Sequence, residues 1–288
     1  MATPLSPVAT VTIGRERHAL TGPSVRLDPR FHPVRPDLTD VRLADRVFAP
    51  HYALASARSA LGSCPLRSGA GRDAPVISEL LRGDAFELLE LSNDTAWGLS
   101  LTDGLVGYVD AAMLGDAVVP THRIVRREAV FREAPDANAT ILAASPMGAR
   151  VTALGERGNF LLCDHGYVAR DAVAALGDGF PGGVAAAAAA MVGLPERRAG
   201  RSGAGVDDSG MVFLAHELAD RKAPRLHDAV IAALGAPQGG GDVIVFGERL
   251  GLVLDGDTVV YLDGAVRSAP LSAIENRFGP ITARGRIG

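Results

Sequence analysis

The sequence predicts an α+β protein: two small β-barrels in succession, then a domain in which helices precede an antiparallel sheet. Three observations carry this reading. Short apolar runs broken by Gly, Asn and Asp fill 51–176 and occur twice in the same order, closing on Gly-Tyr-Val at Gly107–Val109 and again at Gly166–Val168. The stretch 177–288 switches to helical patterning and then to three strand-like runs. Gly (34) and Pro (18) are plentiful enough to supply the tight turns that so many short strands need.

Taken in order, residues 1–24 read as a loose leader. Residues 25–50 contain Pro29, Pro33, Pro36 and Pro50 and read as an extended arm over the body, with a helical turn near Asp40–Val47. The first barrel is placed at 51–118, with strand runs at Val76–Leu81, Ala85–Leu91, Trp97–Leu101 and Gly104–Val109. The second, at 119–176, has Val130–Arg132, Val151–Leu154, Phe160–Cys163 and Gly166–Val168. In 177–288 an alanine-rich helix is expected over Val184–Val192 on propensity. A second helix is expected over Asp208–Ala219, because Met211, Val212, Ala215 and Leu218 fall on one face of a 3.6-residue period. A short third helix is placed at Leu226–Leu234, and strands at Asp242–Phe246, Leu250–Leu254 and Thr258–Leu262.

Composition narrows the function. The chain has 288 residues, 47% of them hydrophobic, so each unit can bury a core. A net charge of −4 without a basic run argues against nucleic-acid and anionic-membrane partners. Gly183–Leu194 is the longest apolar stretch and is too short to span a bilayer. Residues 1–24 carry Arg15, Arg17 and His18 but no continuous apolar run of a signal peptide, so a soluble cytoplasmic protein is expected. Cys64 and Cys163 lack metal-ligand spacing and read as small buried hydrophobes. No cofactor or metal is expected.

The segment Gly200-Arg201-Ser202-Gly203-Ala204-Gly205-Val206-Asp207-Asp208-Ser209-Gly210-Met211-Val212 resembles the nucleophile motif of NlpC-type papain-like cysteine peptidases, approximately G-R-[ST]-x-x-G-x-D-C-S-G-L-V. Every signature position is kept except the cysteine, where Asp208 stands. Gly241-Asp242-Val243-Ile244-Val245-Phe246 matches the element that precedes the family's catalytic histidine, and that histidine position is Arg249. The third polar position falls at Ala265. The aromatic pair lining the family's cleft is replaced in Pro195-Glu196-Arg197-Arg198-Ala199-Gly200, leaving Glu196, Arg198, Asp207, Ser209 and Gly210 as remnants of a substrate cleft. The two barrels are similar to bacterial SH3-like domains, with Leu66-Arg67, a Gly83-Asp84 turn, Trp97, Gly107-Tyr108-Val109 and Leu114 in the family's order. The whole body, 25–285, resembles soluble bacterial peptidases that join two SH3-like domains to an NlpC-type domain at 177–288. Active members of that architecture cut γ-D-glutamyl–diamino acid bonds in cell-wall stem peptides.

The resemblance implies the fold; the residues remove the chemistry. A thiol peptidase needs a thiolate at a helix N-terminus, an imidazole beside it and a group that orients the imidazole. A carboxylate is a poor nucleophile toward an amide, and guanidinium does not release its proton to a leaving amine. His216 lies eight residues past Asp208 on the same helix, about 12 Å along its axis. The implied geometry turns Asp208 and Arg249 toward each other and predicts an ion pair in the former catalytic site. The chain therefore reads as a catalytically inactive binding, scaffolding or regulatory relative. Its partner would be an active paralogue, a second copy or a peptidoglycan fragment. The alternative is a hydrolase with relocated catalytic groups.

Other features have plainer readings. Cys163 and His165 share a strand face but sit at a barrel turn. His216 reads as a half-exposed helix residue; Glu217, Asp220, Arg221 and Lys222 read as a solvated helix end. Gly239–Gly241 lacks the Lys-Ser/Thr of a phosphate loop and reads as a turn, and Trp97 as a barrel-core or groove residue.

Overall fold

A computed structural model of the chain describes residues 25–288. The leader placed at 1–24 lies outside the described residues. No described helix is long and apolar enough to cross a membrane.

The first barrel is a seven-stranded antiparallel sheet in the order Val76–Leu80, Cys64–Arg67, Val106–Asp110, Thr95–Ser100, Ala85–Ser92, Ser56–Ala60, Leu114–Asp116. Alternation along these strands turns Leu66, Leu80, Phe86, Ala96, Leu105 and Val109 inward onto one core. The arm runs over the outer face. Its strand Leu38–Asp40 pairs in parallel with His51–Ala53, so the arm reaches past the boundary expected at 50. The expected helical turn is a single 3₁₀ turn at Val41–Leu43, capped by the Asp40 carboxylate on the Arg42 amide at 2.9 Å.

The second barrel combines a five-stranded sheet (Ile141–Pro146, Glu128–Arg132, Gly166–Ala169, Phe160–Cys163, Ala153–Arg157) with a three-stranded one (Arg150–Val151, His122–Ile124, Val173–Ala175). Ile124, Phe131, Val151, Leu161, Cys163 and Val168 fill it. Both cysteines are free and buried, as their isolation in the sequence implied. Burial pushes the Cys64 thiol up to about 12 and the Cys163 thiol up to about 11. His165 turns to Asp164 and Arg82, away from any role with Cys163.

The third unit is a five-stranded antiparallel sheet ordered Val266–Pro270, Thr258–Leu262, Arg249–Asp255, Val243–Phe246, Ile281–Gly285. Helices α1 (Gly183–Ala190) and α2 (Asp208–Leu218) pack on one face. Helix α3 (His227–Ala232) follows α2, and α4 (Leu271–Phe278) covers the other face through Ile274 and Phe278 against Phe246 and Tyr261. The Gly239–Gly241 turn is held by Asp242, whose carboxylate accepts from the Gln238 and Gly239 amides and pairs with Arg284 and Arg286.

Helix α2 departs from the one-sided amphipathic helix that its periodicity suggested. Every residue from Ser209 to Leu218 is buried. One face meets α1 and the sheet; the other meets the two barrels instead of water, with Leu214 lying beside Gly148 and Leu81. His216, expected half-exposed, is 0% exposed, and its Nδ1 lies 2.8 Å from the Val212 carbonyl. Glu217, expected solvated, is buried and accepts from Arg150 Nη2 at 2.6 Å. Only the residues after α2, Asp220 to Lys222, are exposed.

Candidate functional site

The segment 200–212 folds as a tight ribbon, Arg201–Ser202 against Gly205–Val206, that feeds directly into α2. Its glycines are steric necessities. A Cβ on Gly210 would fall 1.9 Å from the Gly200 carbonyl oxygen, and one on Gly203 would fall 1.9 Å from the Arg127 carbonyl of the second barrel. Asp207 is the N-cap of α2: its Oδ1 accepts the Gly210 amide at 2.6 Å, and its Oδ2 accepts the Ala199 amide at 2.9 Å. Arg225, 1% exposed, donates to Asp207 Oδ1 at 2.9 Å and to Ser209 Oγ at 2.9 Å. Asp207, Ser209 and Gly210, read from the sequence as cleft remnants, are thus spent on internal bonds at the helix start.

Asp208 opens the first turn of α2. Among the described residues no basic side chain lies within 4.0 Å of it, so the expected ion pair with Arg249 is absent. The reason lies in the partners Arg249 has instead. Its Nη1 donates to the Leu262 carbonyl on the neighbouring strand at 2.9 Å, and its guanidinium lies 5.1 Å from the centre of the Phe278 ring of α4. α4 was not foreseen, and it draws the arginine off the helix terminus. Asp208 Oδ1 is left buried without a hydrogen-bond partner. Burial pushes the Asp208 carboxyl up to about 7; Arg249 pulls it down, while Asp207 and Glu196 push it further up.

Ala265 lies at the head of the edge strand, bridged to Pro195, and the Gly264 amide donates to Glu196 Oε2 at 2.8 Å. Glu196 also bridges Val206 in parallel. The 195–197 segment is therefore laced between the edge strand and the ribbon, and it brings Glu196, Asp208, Arg249 and Ala265 into one neighbourhood. Arg198 points elsewhere, into a cavity of about 590 Å³ between the first barrel and the third unit, with Glu79, Asp73 and Arg197.

A feature missed in the sequence stands behind this site. Arg201, fully buried, donates through its amide to Glu79 Oε1 at 2.8 Å and through Nε to the Glu79 carbonyl at 2.8 Å, and it pairs with Asp84. Asp103 at 3.7 Å and Glu217 at 3.6 Å complete its surroundings. Arg123 and Arg150 of the second barrel reach Glu217, and Arg197 reaches Glu79. Three buried or half-buried arginines (Arg123, Arg150 and Arg201) and four buried carboxylates, drawn from all three units, neutralise one another in the interior, and Arg197 closes the cluster from the surface. The arginine in the motif was the available signal; its acidic partners lie 16 to 122 positions away.

Comparison with known proteins agrees with this geometry. The family model for the bacterial dipeptidyl-peptidase SH3 domain matches residues 66–114. An NlpC/P60 family protein from Bacillus cereus ATCC 10987 superposes with a TM-score of 0.68 at 13% identity, covering 81% of this chain and 99% of its own. An NlpC/P60 endopeptidase from Photobacterium damselae subsp. piscicida superposes with a TM-score of 0.52 at 12% identity, covering 78% of this chain and 70% of its own. No curated protein matches the sequence. The fold is that of an NlpC-type α+β protein joined to SH3-like barrels, as the motif order implied.

Proposed function

We propose that this chain is a non-hydrolytic relative of the cell-wall stem-peptide endopeptidases, acting as a binding, scaffolding or regulatory protein. One observation carries the reading. At the head of α2, where a thiolate would sit, the side chain is Asp208, and the charged groups that act on it are Arg249, Asp207 and Glu196, with no imidazole among them. His216 is sealed in the middle of the fold beside Val212. Among the described residues no imidazole stands beside Asp208 to serve as the general base and acid that a thiol peptidase of this fold would use.

The test is incubation of the purified chain with a stem tripeptide ending in a diamino acid. The expected result is no release of the terminal diamino acid. Asp208→Cys is expected to remain inactive as well, because Arg249 cannot act as its base. Release by the unmodified chain that disappears in Asp208→Ala would overturn the proposal in favour of a hydrolase with relocated groups. A rise in melting temperature with uncleaved tripeptide marks a peptidoglycan-fragment binder. If the temperature does not move, light scattering with and without an active paralogue separates self-association from a protein partner.

A further inference from the structure

The outer face of the first barrel holds an aromatic seat that the function above does not use. Trp97 and Tyr108 lie on neighbouring strands with ring centres 6.4 Å apart, and Glu90 flanks them. Arg35, from the arm and outside the matched 66–114 unit, is inserted here. Its guanidinium carbon lies 4.4 Å from the Trp97 ring centre. Nη1 donates to Glu90 Oε2 at 2.5 Å and to the Tyr108 hydroxyl at 3.3 Å; Nη2 donates to Asp37 Oδ2 at 2.7 Å. A stacking face, a hydroxyl and carboxylates around one plane are what a guanidinium requires and a lysine ammonium does not match.

The arm does not fill the groove. Beside Arg35 lies a cavity of about 520 Å³ reaching Asn93, Thr95 and Tyr108, and a second of about 570 Å³ shares those three residues and runs on to Asp94 and Asp110. Arg35 is presented at the tip of a turn, between Val34 and Thr39, which are bridged to each other. The arm thus occupies one end of a longer groove by one side chain, presented from a turn.

We propose that Trp97, Tyr108 and Glu90 form a guanidinium-recognition site for an arginine-bearing peptide segment, and that Arg35 is its built-in competitor. A tethered competitor acts at an effective concentration in the millimolar range. A segment in trans therefore binds measurably only when the arm is displaced or its arginine is removed.

Trp97 is the only tryptophan in the chain, so its emission reports the seat directly. The full chain carrying Arg35→Ala is titrated with N-acetyl-arginine amide. The expected result is a saturable change in Trp97 emission, at least tenfold weaker with N-acetyl-lysine amide, in the unmodified chain, and when Glu90→Gln is added. Absence of saturation in a variant whose circular dichroism matches the unmodified chain overturns the proposal. So does an equal response to the lysine probe, or one indifferent to Glu90→Gln. Should Arg35→Ala fail to fold, Arg35→Lys keeps a cation in the seat and is titrated in the same way, with the same outcomes decisive.

Discussion

At the scale of single residues, the site turns on Asp208, a half-buried residue whose Oδ1 is buried without a hydrogen-bond partner and which forms no ion pair among the described residues. Asp208 has an ordinary carboxyl pKa in the unfolded chain and one raised to about 7 in the fold, chiefly by burial. The sign follows. Between about pH 4 and pH 7 the native state holds a proton that the unfolded chain has lost, so stability falls as pH rises through that window. The loss is on the order of 2–4 kcal/mol if the whole shift is realised. Asp208→Asn keeps the shape and cannot ionise. It is expected to match the unmodified chain near pH 4 and to exceed it in melting temperature by pH 8. Parallel stability–pH curves for the two would show that Asp208 is paired or solvated in a way this geometry does not contain.

At the scale of elements, helix α2 depends on its first turn. Asp207 caps it, and Arg225, buried behind the cap, is neutralised by Asp207. Asp207→Ala removes the cap and strands a buried cation, so a loss of about 3–5 kcal/mol is expected in urea unfolding. Asp207→Asn, which keeps the cap and loses the charge, should cost less. The existence of α2 and of both neighbouring helices was legible in the sequence, as was the strand Thr258–Leu262, because periodicity and the motif coincide there. The site was legible in part. Motif order pointed to Asp208, at the head of α2, to Arg249, at the head of its strand, and to Ala265, just before the edge strand, but the Asp208–Arg249 pair required knowing where a long side chain goes. That depended on α4, whose Leu271, Ile274 and Phe278 fall at i, i+3 and i+7 but over only two turns, a shorter window than the one in which helical periodicity is read. The burial of His216 and Glu217 was illegible for a related reason. The unbroken apolar run Met211–Ala215 was the signal that α2 is covered on both faces, but what covers the second face lies in other parts of the chain.

At the scale of the whole molecule, Arg201 makes three units into one body. Its buried guanidinium faces Asp84 and Asp103 of the first barrel and Glu217 of α2, and Glu217 in turn holds Arg123 and Arg150 of the second. Such a network is not a large source of net stability, because desolvating each ion offsets much of the attraction. Its consequence is coupling: no unit can leave without exposing the others' unpaired interior charges. The unmodified chain is expected to melt in a single calorimetric transition. Arg201→Met fills much of the same volume with an apolar chain and leaves Glu79, Asp84 and Asp103 facing one another without their central cation. It is expected to split the transition, with the first barrel, which supplies those three carboxylates, unfolding at lower temperature than the third unit. Arg127→Ala, at an exposed arginine whose side chain, among the described residues, donates only to the Gly193 carbonyl, at 3.5 Å, should leave the single transition intact. A single, uniformly lowered transition for Arg201→Met would mean that the apolar contact of α2 with the barrels couples the units unaided, and that the ions only set the register in which they dock.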